Sequence, residues 1–178
     1  MLVRAARAED MSGILAVERA AFGGPDEAKL TVALLDDPSA QPIINLVAED
    51  AGTIVGHVLF THAVVETAEA EFNATVLGPL AVVPTAQRTG VGQALSLEGI
   101  AIAGRLGIGL VFVLGHIDYY PRFGFKPASP LGLDAPYPID PAVADAWMVL
   151  ATKAGLLGSV RGTVRCADAV MSPEMWVE

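Results

Sequence analysis

Between Gln87 and Gly92 the chain reads Gln-Arg-Thr-Gly-Val-Gly, just after the apolar run Leu80–Val83 and Pro84 and just before a segment of helical character. The first amides of a helix have no intrahelical acceptor and carry the positive end of its dipole. Glycine at 90 and 92 removes the Cβ atoms that would hold an anion off that backbone. Arg88 and Thr89 add side-chain donors. The chemistry this arrangement suits is capture of a phosphate or pyrophosphate.

Particular residues weigh against two familiar phosphate motifs. A P-loop needs a lysine after its glycines, and none follows. A dinucleotide-binding turn needs a small residue where Leu95 stands. It also needs an acid about 20 residues on, where this chain continues as an apolar run. The remaining pattern, Gln/Arg-x-x-Gly-x-Gly/Ala, is matched by Gln87 to Gly92.

The elements that must hold this turn are those of a mixed α/β chain. A short N-terminal strand leads to a helix with Ile14, Leu15, Val17 and Ala21 on one face, capped by Asp10 or Ser12. A second helix places Leu30, Ala33 and Leu34 for burial. Apolar runs over 44–48 and 54–65, separated by Glu-Asp-Ala-Gly-Thr, predict a hairpin. One or two strands follow up to Pro84, which suits a strand end because it has no amide hydrogen. A helix over about 90–105, ended by Gly107, leads into an apolar strand within 108–115. A crossover helix joins parallel strands, so its two flanking strands are expected to run parallel. Two further strands are expected in Ala-Trp-Met-Val-Leu-Ala-Thr and Gly-Ser-Val-Arg-Gly-Thr-Val-Arg-Cys-Ala-Asp-Ala-Val.

The chain has 178 residues and a net charge of −9. That length suits a single domain, with a core of about 1–127 and C-terminal strands and loops over 128–178. The acidic balance disfavours nucleic acid as a partner. Mean hydropathy is high at +0.50. Even so, the most apolar stretch, 100–115, is broken by Arg105 and glycines and is shorter than the roughly 20 residues that span a bilayer. No membrane association is expected, and the N-terminus lacks a secretion signal, so the expected location is cytoplasmic. Cys166 is the only cysteine, so no internal disulfide forms and structural burial is its expected fate. His57, His62 and His116 lack metal-ligand spacing, so no metal is expected. His57 lies in an apolar run and reads as a core histidine.

The pattern at 87–92 resembles the coenzyme A site of the GNAT superfamily of N-acetyltransferases. The later Tyr-Tyr-Pro-Arg-Phe-Gly-Phe, 119–125, resembles that family's Tyr-x-x-x-Gly-Phe segment. The stretch from Phe112 to Ala128 is similar to a bacterial subgroup of predicted N-acetyltransferases. The resemblance is firm over about 77–127 and looser from the N-terminus to about 170.

It implies a mixed, mostly antiparallel sheet of six or seven strands, splayed between the fourth and fifth, with helices on both faces. Acetyl-CoA would sit in the opening as cosubstrate. Ala81, Val82 and Val83 would offer backbone groups to its pantetheine arm. Arg88, Thr89, Gly90, Val91, Gly92 and Gln93 would cradle its pyrophosphate. The implied reaction moves an acetyl group to a primary amine of a small molecule or peptide, by direct attack through a tetrahedral intermediate. The Val82 N–H would hold the oxyanion. Tyr120 would protonate the leaving thiolate, with Tyr119 as its rival. No base is assigned; His57, His62, Glu66, Glu71, His116 and Asp118 are the candidates. The net charge mildly favours a polyamine, aminoglycoside or lysine-like acceptor. The protein would act as a monomer or homodimer. The competing readings are a non-catalytic acyl-CoA sensor or partner-binding module on the same fold, and a nucleotide-binding oxidoreductase.

Overall fold

The computed structural model describes residues 1–177. Its strands are β1 (Leu2–Ala5), β2 (Ile44–Asp50), β3 (Thr53–Glu66), β4 (Glu71–Val82), β5 (Leu110–Leu114), β6 (Lys126–Pro127), β7 (Leu133–Asp134), β8 (Trp147–Ala151) and β9 (Gly162–Cys166). Its α-helices are α1 (Met11–Phe22), α2 (Asp26–Asp36) and α3 (Val91–Arg105). All strands join one sheet in the order β1-β2-β3-β4-β5-β8-β6, with β9 paired to β3 and β7 to β9. The sheet is mostly antiparallel. The β4–β5 pair, joined through α3, runs parallel, and so does β7–β9. Two strands beyond the expected number, β6 and β7, are two residues each, too short to show as alternation in a sequence.

β3 is the spine. Its first half pairs with β2, whose register ends at Ile44 opposite Phe60. From Ala63 to Glu66 the same edge passes to β9. Side chains alternate between the two faces of a strand, and this sorts the helices. Gly56, Val58 and Phe60 face α3, whose Leu95, Gly99 and Ala103 recur every fourth residue as its buried stripe. A Cβ on Gly99 would stand 2.0 Å from the Phe60 ring, so that glycine sets how closely α3 approaches the sheet. His57 and Leu59 face the other way. Glu18 of α1 meets His57, and Leu34 of α2 packs with Leu59.

Three local expectations are corrected. Leu15 is only half-buried, and Glu18 joins Ile14 and Val17 on the inner face of α1. In α2, Ala33 is exposed while Ala28 and Thr31 are buried. Asp10 stands before α1 without capping it. Its carboxylate accepts instead from the Arg7 amide at 2.7 Å and from Arg4 of β1 at 2.7 and 2.9 Å, tying the start of α1 to the sheet. Among the described residues no helix is long and apolar enough to cross a membrane.

Candidate active site

The sheet opens where β4 leaves β5. Only Ala74, Thr75 and Val76 pair with β5, opposite Leu110, Val111 and Phe112. Immediately beyond, the β3–β4 register shifts: Val58 faces Leu80 while Phe60 faces Leu77. β4 thus carries an extra residue at Gly78–Pro79. A bulge bends the strand that carries it, and Pro79 can offer no amide to a neighbouring strand. The result is a cleft of about 800 Å³. Its walls come from β4, from the first turn of α3, from the loop after β5, and from α1 and α2.

At one end of the cleft stand Gln87, Arg88 and Gly92. Gly90 is the N-cap of α3 at φ +94°, and Arg88 is also left-handed at +62°. Ala94 makes the first bond back to the cap, donating to Gly90 O at 3.0 Å. Among the described residues, the amides from Arg88 to Gln93 take no backbone acceptor, so they remain available to an anion. The Thr89 hydroxyl donates to Ala86 O at 2.6 Å and stiffens the turn.

β4 presents its backbone selectively. The Val83 amide donates to Val55 O at 3.0 Å, on the β3 side. Successive backbone groups face opposite edges of a strand, so Val82 turns its N–H and C=O toward the opening. The side-chain amide of Gln87 donates to that C=O at 3.0 Å. Ala81 is buried in the ladder opposite His57. Of the three residues expected to face the pantetheine arm, only Val82 directs its backbone into the cleft.

The two tyrosines divide the far wall. Tyr120 is buried, with its ring edge-on to Phe125 at 5.7 Å and to Tyr119 at 5.1 Å. It packs so closely on Gly115 that a Cβ there would lie 2.5 Å from the ring. It both fills an aromatic cluster and lines the cleft. Tyr119 is half-buried, and its hydroxyl reaches over Gly92. The Arg122 guanidinium lies 4.4 Å from its ring centre and donates to its carbonyl at 2.8 Å. Burial pushes the Tyr119 phenol above its usual pKa, opposed by the Arg122 charge and by Ser96, so it is protonated at neutral pH. The buried Ser96 hydroxyl is close enough to act on the phenol but meets no partner in hydrogen-bond geometry.

Of the six candidate bases, only His116 lines the cleft. His57 is fully buried, with Nδ1 2.5 Å from Glu18 Oε1 and Nε2 2.9 Å from Asn45 Oδ1. Burial raises the Glu18 carboxyl, opposed by its hydrogen bond with His57. Glu66 and Glu71 are exposed partners of Arg165, each at 2.7 Å. His62 and Asp118 lie outside the cleft walls. Cys166 is buried, and desolvation pushes its thiol up to about 12, which leaves it inert. Among the described residues no three His, Cys, Asp or Glu come together to hold a metal. The carboxylate that does line the cleft is Glu27, in the first turn of α2, together with Ala21 and Phe22 of α1. Nothing local marks Glu27 in the sequence; only the packing of α1 and α2 brings it to the opening.

The acetyltransferase (GNAT) domain family matches residues 2–128. The uncharacterized N-acetyltransferase YjhQ of Escherichia coli K12 is 44% identical over 163 residues, covering 89% of this chain and 88% of that one. The GNAT family N-acetyltransferase YhbS of Escherichia coli, solved in complex with CoA, superposes with a TM-score of 0.84 at 28% identity, over 94% of this chain and 90% of that one. A GNAT family acetyltransferase from Brucella melitensis, solved in complex with acetyl-CoA, gives 0.74 at 28% identity, over 94% and 96%. With more than half of its length matched by the domain family and a 44% identical relative spanning most of it, the chain belongs to the GNAT acetyltransferase family and is an enzyme of the acyltransferase class.

Proposed function

We propose that the protein transfers an acetyl group from acetyl-CoA to a primary amine held in the same cleft. The observation that carries this reading is the opening between β4 and β5. It joins the bare amides of α3, the outward-facing backbone of Val82 and the wall formed by Tyr120 in one cleft. An acidic protein can hold an anionic cosubstrate here because fixed amides and Arg88, rather than net charge, supply the attraction. That two relatives were solved with CoA or acetyl-CoA supports the same cosubstrate.

In this reading the amides from Arg88 to Gln93 and the Arg88 side chain bind the pyrophosphate. The Val82 N–H donates to the thioester oxygen as negative charge develops there. Tyr120 gives a proton to the departing sulfur. The overall reaction turns an ammonium group and a thioester into an amide, a thiol and one released proton. The ammonium loses one proton to solvent, the neutral amine forms the C–N bond to give a tetrahedral oxyanion, and collapse of that oxyanion breaks the C–S bond.

A thermal shift with acetyl-CoA, set against NAD and ATP at equal concentration, tests the site. A ligand at 100 times its dissociation constant stabilises by about 2.7 kcal/mol. The expected result is a shift with acetyl-CoA alone, followed by release of free thiol when amines are added. A shift without turnover on any amine would favour an acyl-CoA sensor. No shift would remove the assignment.

A further inference from the structure

The charges around the cleft are separated by element. Arg88 and the α3 amides lie at the cosubstrate end, while Glu27 stands on the α2 wall. Among the described residues the Glu27 carboxylate has no ion-pair partner, although its charge is felt at Glu18 beneath it. Other acids of the chain are engaged elsewhere: Glu66 and Glu71 both pair with Arg165, and neither lines the cleft. The apolar lining of the same cleft includes Phe22 of α1 and Leu77, Pro79 and Leu80 of β4. Phe22 is 45% exposed, a large side chain left uncovered at the mouth.

We propose that the acceptor is a singly charged primary amine on an apolar stem, its ammonium received by Glu27 and its stem laid on Phe22 and the bulged part of β4. This rests on the acetyl-transfer reading above and narrows it. Among the described residues Glu27 is the one carboxylate lining the cleft, and it satisfies one ammonium group. A polyamine or aminoglycoside would press its remaining charges against hydrocarbon, which costs their hydration without replacement. The overall charge of −9 therefore points the wrong way as a guide to substrate: it describes the surface, not the cleft.

The test uses the full chain, saturating acetyl-CoA and four probe amines: 2-phenylethylamine, methylamine, spermidine and kanamycin. Thiol release is measured for each, alongside the thermal shift given by acetyl-CoA alone. The expected result is a kcat/KM for 2-phenylethylamine at least roughly tenfold above that for the other three. Glu27→Gln should raise KM for 2-phenylethylamine roughly tenfold or more while leaving the acetyl-CoA shift unchanged. Phe22→Ala should erase the preference over methylamine. Preference for spermidine or kanamycin, an unchanged KM in Glu27→Gln, or no turnover of any probe with the acetyl-CoA shift intact would each overturn the proposal. Loss of the acetyl-CoA shift in the unmodified protein is a different failure, because it removes the cosubstrate site on which the proposal stands.

Discussion

The Tyr119 hydroxyl lies over the Cα of Gly92, so close that a Cβ there would stand 2.7 Å from it. The residue at 92 thus has two tasks. It leaves a helix amide uncovered, and it leaves room for a phenol held from behind by Arg122. Replacing Gly92 with alanine should gain less than the roughly 1 kcal/mol of helix propensity seen in a helix interior, because Gly92 is the second residue of α3, and that gain partly offsets the strain of moving Tyr119. The expected outcome is a melting temperature little changed and an acetyl-CoA affinity reduced about tenfold. Calorimetric titration beside a melting curve checks both. Unchanged affinity would show that the phenol's position does not matter to the cosubstrate.

Tyr120→Phe keeps the ring that packs on Gly115 and Phe125 and removes only the hydroxyl. If that hydroxyl protonates sulfur, turnover should fall by about 10²-fold or more with acetyl-CoA affinity within about twofold. Steady-state rates and a binding titration separate the two effects. An equal rate would transfer the role to Tyr119 or to water.

Gly90 offers a cleaner probe of charge. Its φ of +94° is left-handed, and nothing stands within 4 Å of a Cβ built there. Asn and Asp tolerate that conformation about equally, so Gly90→Asn and Gly90→Asp share the backbone cost and differ in charge. The aspartate variant should bind acetyl-CoA at least about tenfold more weakly than the asparagine variant, and the gap should narrow at high salt. Equal affinities would place the pyrophosphate elsewhere.

Glu18 and His57 meet in the core, each with no exposed surface. Removing one partner leaves the other buried without that hydrogen bond, at a cost of about 1–3 kcal/mol, whereas replacing both with hydrocarbon costs much less. Glu18→Leu and His57→Leu should each destabilise strongly in urea titrations. The double variant should be more stable than either single variant. Strict additivity would mean that the two groups do not depend on each other.

Asp10 is held down from 3.8 to about 2, first by Arg4 and then by the Arg7 amide. A carboxyl depressed in the folded state contributes stability above its unfolded pKa, and that stability is lost as pH falls through the folded value. Between about pH 4 and pH 2 the unmodified protein should therefore lose stability more steeply than Asp10→Asn. Parallel curves in acid urea titrations would show that the contact contributes nothing there.

What the sequence made legible was local. Gly90 and Gly92 before an apolar stripe announce a helix whose amides are bare, and Gly107 ends it as expected, at φ +77°. Tyr120 and the glycine-phenylalanine pair after it are recognisable because their spacing is fixed within one turn. The parallel pairing of β4 with β5 followed from the intervening helix. Glu27 and the Glu18–His57 contact were not legible, because they depend on residues far apart in the chain: His57 and Glu18 are 39 positions apart. The bulge at Gly78–Pro79 escaped for a related reason. It exists as a mismatch between two strands, and no property of either strand alone reveals it. Nor does composition reveal that Val82 faces the opening while Val83 is spent on Val55. That is decided by the register of the ladder.

A sheet normally separates what lies on its two faces. Here the bulge in β4 makes a doorway through it, with α3 on one side and α1 and α2 on the other. A donor arriving along α3 and an acceptor arriving past Phe22 would enter by different doors. They would meet in the wall itself, both present at once. Neither would need to wait for the other to leave, and the acetyl group would have no reason to rest on a side chain between them.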